Sequence, residues 1–154
     1  MANANARAYS TRRRAIVGAI ASKLQSELNG SPPFRTAVED VSPRLRFWDE
    51  VTEFPSIQVG AGGETRDYDG GGFRFRFLRV TIRCYVNDSN DVILALEALL
   101  EDVETVLEDN DPLTYTDSTG ASQSTAQTTI LTVDTDEGVL EPLGVGEIVV
   151  EIRY

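Results

Sequence analysis

Arginine and aromatic residues alternate in "FRFRFLRVTIRCYV", residues 73–86, where they could bind a ligand directly. Basic residues interleaved with aromatic ones can hold phosphates and stack nucleobases. The whole chain, however, has a net charge of −11, which repels phosphates at long range. The phenylalanines also have the parity of core residues, so packing explains them better than base stacking. We therefore expect no tight binding of nucleic acid.

Residue types that carry catalysis are scarce in this chain. It has no histidine, which removes Ser-His and Cys-His nucleophile systems and the usual zinc ligands. Its one cysteine, Cys84, has the apolar parity of its strand and is predicted to be a buried, inert thiol. The glycine-rich stretch lacks the lysine of a P-loop, and "DTDEG" at 134–138 breaks the spacing of a calcium loop. We predict no enzyme activity, no cofactor and no metal site.

The length of the chain, 154 residues, is typical of one domain. Such a domain buries about 70% of its unfolded surface and needs no disulfide or metal for stability. No apolar run approaches the roughly 18 residues of a membrane span. The N-terminal "MANANARAYSTRRR" has no apolar segment before its arginines and does not have the pattern of a secretory signal. We divide the chain into a loose N-terminal segment, residues 1–9, and one domain, residues 10–154.

Charge divides sharply along the chain. Residues 1–86 hold thirteen basic and nine acidic residues, a net of +4, whereas residues 87–154 hold one basic and sixteen acidic residues, a net of −15. Either the two parts attract each other within the fold, or they meet between copies of the protein. Both explanations can hold together.

Two helices are predicted from apolar residues at helical spacing. The first spans about residues 10–29, with Ser10 or Thr11 as N-cap and Gly30 at its end. The second spans about residues 89–109 and carries acidic residues on its polar side. The predicted apolar stripes are Ile16, Val17, Ile20, Leu24 and Leu28 in the first helix, and Val92, Leu96, Leu99, Val103 and Val106 in the second. The acidic side of the second consists of Glu97, Glu101, Asp102, Glu104 and Glu108.

Both helices carry charges of the unfavourable sign at one end. Arginines crowd the positive N-terminal end of the first helix, and carboxylates crowd the negative C-terminal end of the second. Each such charge costs about 0.3–1 kcal/mol at an exposed site. Either water and salt screen these charges, or the basic end of one subunit faces the acidic end of another.

The remaining segments predict a sheet. Strands are expected over about residues 54–61, 73–86, 125–135 and 146–154, with a possible short edge strand at 36–41. In residues 73–86 the apolar positions change parity near Phe77 and Leu78, which predicts a bulge or bend there. The predicted fold is α+β: a mainly antiparallel four-stranded sheet with both helices packed on one face.

Two long loops are expected to project from this sheet. The first, "GAGGETRDYDGGG" at 60–72, contains six glycines, and the second, "TDSTGASQSTAQ" at 116–127, is rich in serine and threonine. Both are too long for tight hairpins. Projecting loops often bind partners, but solvated slack explains them equally well.

Four segments occur here in a particular order: "RRRAIVGAIASKLQSEL", "RFWDEVTEFPSIQVGAGGE", "FRFRFLRVTIRCYV" before the acidic helix, and "TDEGVLEPLGVGEIVVEIRY". In the last, a Pro-Leu-Gly turn leads into a strand that ends at Tyr154. In this order the chain resembles the tail terminator (tail completion) proteins of long-tailed bacteriophages and related tailed viruses. The resemblance covers most of the chain from about residue 10.

The resemblance implies a mixed fold of sheet and helices and a six-membered ring. That ring caps the head-proximal end of the tail tube, stops tube growth and offers a surface to the head connector. The implied partners are further copies of the chain, the tail tube protein and a head-connector or neck protein. Genome DNA would pass through the lumen without specific binding, and no membrane is involved. The implied location is the head–tail junction of the virion, after assembly in the host cytoplasm.

Two groups of residues are the candidates for these contacts. A head-to-tail ring needs two different complementary patches on each subunit, which a chain divided in charge can supply. The candidate subunit interface consists of Arg12, Arg13, Arg14, Arg74, Arg76, Glu104, Glu108 and Asp109. The candidate contact with tube or connector lies in the glycine-rich stretch and consists of Glu64, Arg66, Asp67, Tyr68 and Asp69.

Two other functions remain open at this point. A neck or head-completion protein of the same virion would share the size and the ring. A different class is a single-stranded nucleic-acid-binding α+β module that uses Phe73, Arg74 and Phe75. In the tail-terminator interpretation, the arginines of residues 73–86 meet carboxylates of the same or the next subunit.

Overall fold

A computed structural model describes residues 11–68, 70–72 and 74–154. Its elements, numbered here in chain order, are two helices, one short 3-10 turn and seven strands. The helices are α1 (Arg12–Glu27) and α2 (Val92–Asp109), and the turn is Trp48–Glu50. The strands are β1 (Asp40–Ser42), β2 (Ser56–Tyr68), β3 (Arg74–Asn87), β4 (Thr114–Thr116), β5 (Ser122–Ser124), β6 (Gln127–Thr135) and β7 (Leu143–Arg153).

The main sheet has five strands in the order β1-β2-β3-β7-β6. Neighbouring strands are antiparallel except β1 and β2, which run parallel. The α+β class is therefore confirmed, but the prediction of a four-stranded, mainly antiparallel sheet was incomplete. The thirteen residues 43–55 between β1 and β2 are long enough for the chain to cross back, so that β2 pairs with β1 in the parallel direction. A parity pattern within three residues could not reveal this.

One apolar core lies between the helices and a single face of the sheet. β7 shows the alternation that produces this face, because its even-numbered residues are buried and its odd-numbered ones are half-buried. Every residue of the two predicted helix stripes is buried, so both stripes are confirmed. Two glycines of β7 let α2 approach closely. A Cβ on Gly144 would lie 2.7 Å from Val92 Cγ2, and one on Gly146 would lie 2.9 Å from Leu100 Cδ2.

The helix caps agree with the sequence, but one residue of the polar side does not. Thr11 caps α1 through its side chain, which accepts from the Arg14 N–H, and Asp91 caps α2 in the same way. Asp102, expected on the solvated side of α2, is buried instead. Its carboxylate accepts hydrogen bonds from the backbone N–H groups of Arg35 and Thr36, at 2.9 and 3.0 Å, and from the Thr36 hydroxyl. It anchors the segment after α1 to the middle of α2.

The first expected loop is largely strand, and the second contains a short strand. Residues 60–68 belong to β2 and pair with β3 as far as Tyr68 opposite Arg74, so the prediction of a flexible finger over 60–72 was wrong. Within the serine- and threonine-rich stretch, β5 pairs with β4 in a small second sheet. Asp117 closes that hairpin by accepting from the Thr119 and Ala121 N–H groups. Hydrogen bonds from the Thr119 hydroxyl and the Gln123 side chain, together with these backbone bonds, hold the pKa of Asp117 low, at about 2.

The predicted bulge lies on the other strand. β3 pairs with β7 without interruption from Phe77 to Asn87, so β3 itself has no register shift at Phe77 and Leu78. The shift is in β2, between Ala61 and Glu64. Because β3 stays regular, Phe75 and Phe77 point away from the helices, and Phe75 is 36% exposed. Their parity is therefore not that of core residues.

Candidate assembly surfaces

The hairpin of β2 and β3 extends past the rest of the sheet. β7 reaches β3 only as far as Phe77, and one further backbone pair joins Arg76 to Tyr154. Beyond that pair, β2 and β3 pair only with each other among the described strands. We call residues 64–68 and 74–76 the arm. Its distal part is exposed, with Arg66, Asp67 and Tyr68 all facing solvent.

A polar cluster fixes the base of the arm. The Tyr154 hydroxyl donates to Glu64 Oε1 at 2.5 Å, and Arg66 Nε donates to Glu64 Oε2 at 2.8 Å. Only 6% of the Glu64 side chain is exposed. From the start of α1, the Arg13 guanidinium donates to the Gly62 carbonyl. The arm is thus tied to both the last strand and the first helix.

The electrostatics of this cluster follow from these bonds. Burial alone would raise the pKa of Glu64, but hydrogen bonds from Tyr154 and Arg66 outweigh it and lower that pKa. Burial, together with the hydrogen bond to the Glu64 carboxylate, raises the pKa of Tyr154 to about 12. The cluster therefore holds an ionised Glu64 and a neutral Tyr154 at neutral pH. Glu64, predicted as a contact residue, is internal.

Arginines of the arm lie against aromatic rings. The Arg74 guanidinium carbon lies 5.9 Å from the centre of the Tyr68 ring, and that of Arg76 lies 5.7 Å from the centre of the Tyr154 ring. Arg153 lies over Phe75 in the same way, at 5.8 Å. The contact with Arg153 covers one face of Phe75, which a nucleobase would need for stacking. This geometry speaks against the nucleic-acid module. Two of the predicted contact residues, Asp69 and Phe73, lie outside the described residues.

The remaining arginines of β3 meet carboxylates across the sheet. Arg83 Nη2 lies 3.1 Å from Glu147 Oε2, and Arg79 stands opposite Glu151 in the register of β3 and β7. The idea that arginines of this strand face carboxylates of the same subunit is confirmed for Arg83. The basic and acidic parts of the chain therefore meet partly within one copy.

The ends of the helices with unfavourable charge do not meet in one copy. Arg12 and Arg14 are exposed at the start of α1, and Glu108 and Asp109 are exposed at the end of α2. The Asn110 side chain donates to Glu27 at 2.7 Å, so the end of α2 lies beside the end of α1, not beside its start. Within the described ranges no ion pair joins the two charged groups.

The acidic side of α2 repels itself. Partial burial raises the pKa of Glu104, and Glu108, Glu101 and Glu97 raise it further. Arg35 bonds Glu101 through both guanidinium nitrogens, at 3.2 Å each, and neutralises one member of the row. A basic partner surface would relieve the remaining repulsion.

The described part of the chain shows no chemistry beyond these contacts. No group of three histidine, cysteine, aspartate or glutamate residues among the described positions could hold a metal ion. Cys84 is buried, as predicted, and burial raises the pKa of its thiol to about 12. No helix among the described residues is both long and apolar enough to cross a membrane.

Comparison with known proteins decides the family. A family model described as "Bacteriophage Tail Tube Terminator Protein" matches residues 10–154. The chain belongs to this family. The tail tube terminator protein p142 of Escherichia phage T5 is 34% identical over 150 residues, which are 92% of this chain and 92% of that protein. A chain from the virion of a native gene transfer agent particle has the same fold, with a TM-score of 0.54 and 12% identity over 90% of this chain and 93% of that one.

Membership of the tail tube terminator family confirms the resemblance found in the sequence. It makes the chain a structural component of a phage tail, and it speaks against an enzyme. The expected contact residues fall on the arm and on the helix ends, but the geometry changes their roles. Glu64 and Arg13 bond at the base of the arm, whereas Arg66, Asp67 and Tyr68 are exposed on its distal part.

Sequence reasoning missed one exposed aromatic pair. Phe47 and Trp48 are 75% and 62% exposed, just before and within the 3-10 turn. Gln58 accepts from the Arg46 N–H at 2.5 Å, and Leu45 lies against Gly60, so this segment is fixed over the sheet face opposite the helices. The signal was available in "RFWDEV", where two adjacent aromatic residues stand outside any amphipathic pattern.

Proposed function

We propose that the protein forms a six-membered ring that caps the head-proximal end of the tail tube. The ring ends polymerisation of the tube and offers a docking surface to the head connector. The observation that carries this proposal is the family match over residues 10–154. The phage T5 relative, named a tail tube terminator, supports the same role. A neck or head-completion protein is the alternative, and only the partner distinguishes it.

The arm supplies the contact with the tube or the connector. It projects beyond the sheet, and its tip presents Tyr68, 62% exposed, between the charges of Arg66 and Asp67. A tyrosine on a fixed strand offers contact area with little loss of conformational freedom on binding. The cluster at the base of the arm strengthens this proposal, because a preorganised arm binds with less entropy loss than a loose finger.

Exposed charges at the helix ends supply part of the contact between copies. Arg12 and Arg14 face carboxylates of a neighbouring copy, and Glu108 and Asp109 face basic groups of a neighbouring copy. Within the described residues neither group forms an ion pair in its own copy, and each has the unfavourable sign for its helix dipole. The net charge of −11 per copy lets genome DNA pass through the lumen without specific binding.

The arm proposal is tested by Tyr68→Ala. Thr65→Ala is the matched control, because Thr65 is exposed on the opposite face of the same strand. Both variants should keep the circular dichroism spectrum and melting temperature of the wild type. Only Tyr68→Ala should fail to cap tubes, leaving tails over-long or heads unjoined in electron micrographs. Tails of normal length joined to heads would remove the arm from the contact.

The charge proposal is tested by reversing two exposed arginines together, Arg12→Glu with Arg14→Glu. The control reverses Lys23 and Arg44, which changes the net charge equally at exposed sites elsewhere. Ring formation should weaken in the first variant only. Added salt should weaken the wild-type ring as well, since exposed charges are screened beyond roughly 10 Å at 0.1 M. A ring insensitive to both changes contradicts the charge contact.

A further inference from the structure

The main sheet has two open edges of different character. On one side, β1 covers only Ser56–Gln58 of β2, and no other described strand pairs there. We call Ala61–Tyr68 the free β2 edge. On the other side, β6 pairs only with β7 among the described strands, and of its amides only that of Thr128 is engaged by a side chain, Asp111, at 3.0 Å. The two edges have similar lengths, eight and nine residues, or about 26–30 Å.

Backbone alternation shows which groups these edges present. The Asp136 N–H donates to Val145 O at 3.0 Å. The backbone N–H and C=O groups of Thr132 and Asp134 therefore point toward β7, and those of Val133 point outward. Similarly, the Glu39 N–H donates to Pro55 O at 2.9 Å. Up to the register shift after Ala61, the backbone N–H and C=O groups of odd-numbered β2 residues therefore point toward the side of β1. Ala61 is the first such residue beyond the end of β1. Apart from the Gly62 carbonyl, which accepts from Arg13, and the Thr128 N–H, each edge presents amides and carbonyls that pair with no other described strand, the usual template for strand addition.

A cleft lies at one edge, and exposed apolar side chains lie at the other. A cleft of about 440 Å³ lies between α1 and Ala61 at the start of the free β2 edge, and an adjoining cleft of about 450 Å³ lies between α1 and the end of β1. They share Pro43 and include the small residues Gly18, Ala21 and Ala61. β6 carries apolar side chains that remain open to solvent, with Leu131 and Val133 exposed to 41% and 42%. A nine-residue edge strand without lysine, arginine or proline is poorly protected against pairing.

Charge and strand direction agree on one arrangement. Arg13 and Arg14 line the cleft beside Ala61, whereas β6 carries Asp134 next to its last residue and is followed by Asp136 and Glu137. Antiparallel pairing brings this acidic end to those arginines. Within one copy β6 runs antiparallel to β2, because each step from β2 through β3 and β7 to β6 reverses direction. A ring built by rotation repeats this direction from one copy to the next.

We propose that β6 of one copy pairs antiparallel with the free β2 edge of the next copy, so that the sheet continues around the ring. The occupant of the free β2 edge is thus a second copy of this chain. The inference rests on the proposed ring and names its contact. Because the two edges are different surfaces, the pairing is head-to-tail, and each copy uses one edge on each side.

Proline substitutions at outward-facing amides test this pairing. Val133→Pro and Ala61→Pro each remove one edge N–H without breaking the ladder inside the subunit. Val133→Thr and Ala61→Ser are the matched controls, because they keep that N–H. Each proline variant alone should fail to form rings, while both controls should form them. A mixture of the two proline variants should give a 1:1 dimer at twice the monomer mass of 16.9 kDa, because one intact pair of edges remains.

Hydrogen exchange of the wild-type protein provides a measurement that does not depend on the variants folding. The amides of Ala61 and Val133 should exchange fast in the monomer and slow by at least tenfold in the ring. Unchanged exchange at both positions overturns the pairing, as do rings from both proline variants. Protection that appears only on adding tail tubes, without self-assembly, would identify a tube strand as the occupant instead. If rings cap tubes but the edges stay unprotected, the proposed function stands and only the pairing is wrong.

Discussion

The hydrogen bond from Tyr154 to Glu64 is the contact at the arm base that one substitution can isolate. Tyr154→Phe removes the hydroxyl and keeps the ring under Arg76. The Glu64 carboxylate would remain almost buried with Arg66 as its single side-chain donor. Losing a hydrogen bond to a charged group costs about 1.5–3 kcal/mol, and because Tyr154 is half-buried we expect the lower part of that range. For a domain of this size, that is a fall in melting temperature of about 3–8 °C.

The pH dependence of this contact has a definite sign at each end. The pKa of Glu64 is lowered in the fold, so its contribution is present above the ordinary pKa of about 4.3 and is lost as pH falls through the lowered value. The pKa of Tyr154 is raised to about 12, so its contribution is present below about pH 10 and is lost as pH rises toward 12. Tyr154→Phe should be less stable than wild type near pH 7, with the difference narrowing toward both extremes.

Urea denaturation of both proteins between pH 3 and pH 11 measures this difference. Tyr68→Phe is the control, since that hydroxyl belongs to a residue 62% exposed on the same arm and its loss should change stability by less than about 0.5 kcal/mol. Hydrogen exchange at residues 64–68 should rise in Tyr154→Phe before the core is affected. If Tyr154→Phe matches wild type at pH 7, the cluster does not hold the arm.

Three further predictions concern the core. Gly144→Ala should cost about 1–3 kcal/mol because its Cβ would meet Val92 and Val86 side chains at 2.7 and 2.8 Å, whereas Gly63→Ala, with open space, should cost less; equal melting temperatures would contradict the close approach of α2. Leu99→Ala should cost about 2–5 kcal/mol and Glu101→Ala much less, which thermal unfolding can compare directly. Asp102→Ala should cost about 1.5–3 kcal/mol, since it strands two backbone N–H groups of the segment after α1; a loss no larger than that of Glu101→Ala would show that this segment is held otherwise.

Periodicity predicted the parts of the fold that burial dictates. Both helices carry long amphipathic patterns, and their stripes are buried as expected. The even-numbered apolar residues of β3 also gave the correct face, because eleven residues pair with β7 without a shift. The prediction that Asp102 is exposed was wrong for a reason that helical periodicity cannot show. Its burial depends on Arg35 and Thr36, sixty-odd positions earlier, which only the folded chain brings to it.

The candidate contact residues show the same limit. Sequence placed Glu64, Arg66 and Tyr68 in one group because they are neighbours along the chain. They share one face of β2 but lie at different positions along the strand, so Glu64 lies at the buried base and Tyr68 at the exposed tip. The division between structural and binding roles therefore depends on where β7 ends. No local pattern records that position.

The glycine-rich stretch shows why composition misled. Glycine disfavours strands through its backbone entropy, so "GAGGETRDY" has the composition of a loop. Pairing with β3, a strand rich in β-branched and aromatic residues, supplies order that the stretch lacks by itself. The glycines also permit the register shift between Ala61 and Glu64 and leave the Gly62 carbonyl open to Arg13. A side chain at Gly62 would meet the Arg79 carbonyl at 3.4 Å, so the bulge, the clamp from α1 and the direction of the arm depend on the same small residues.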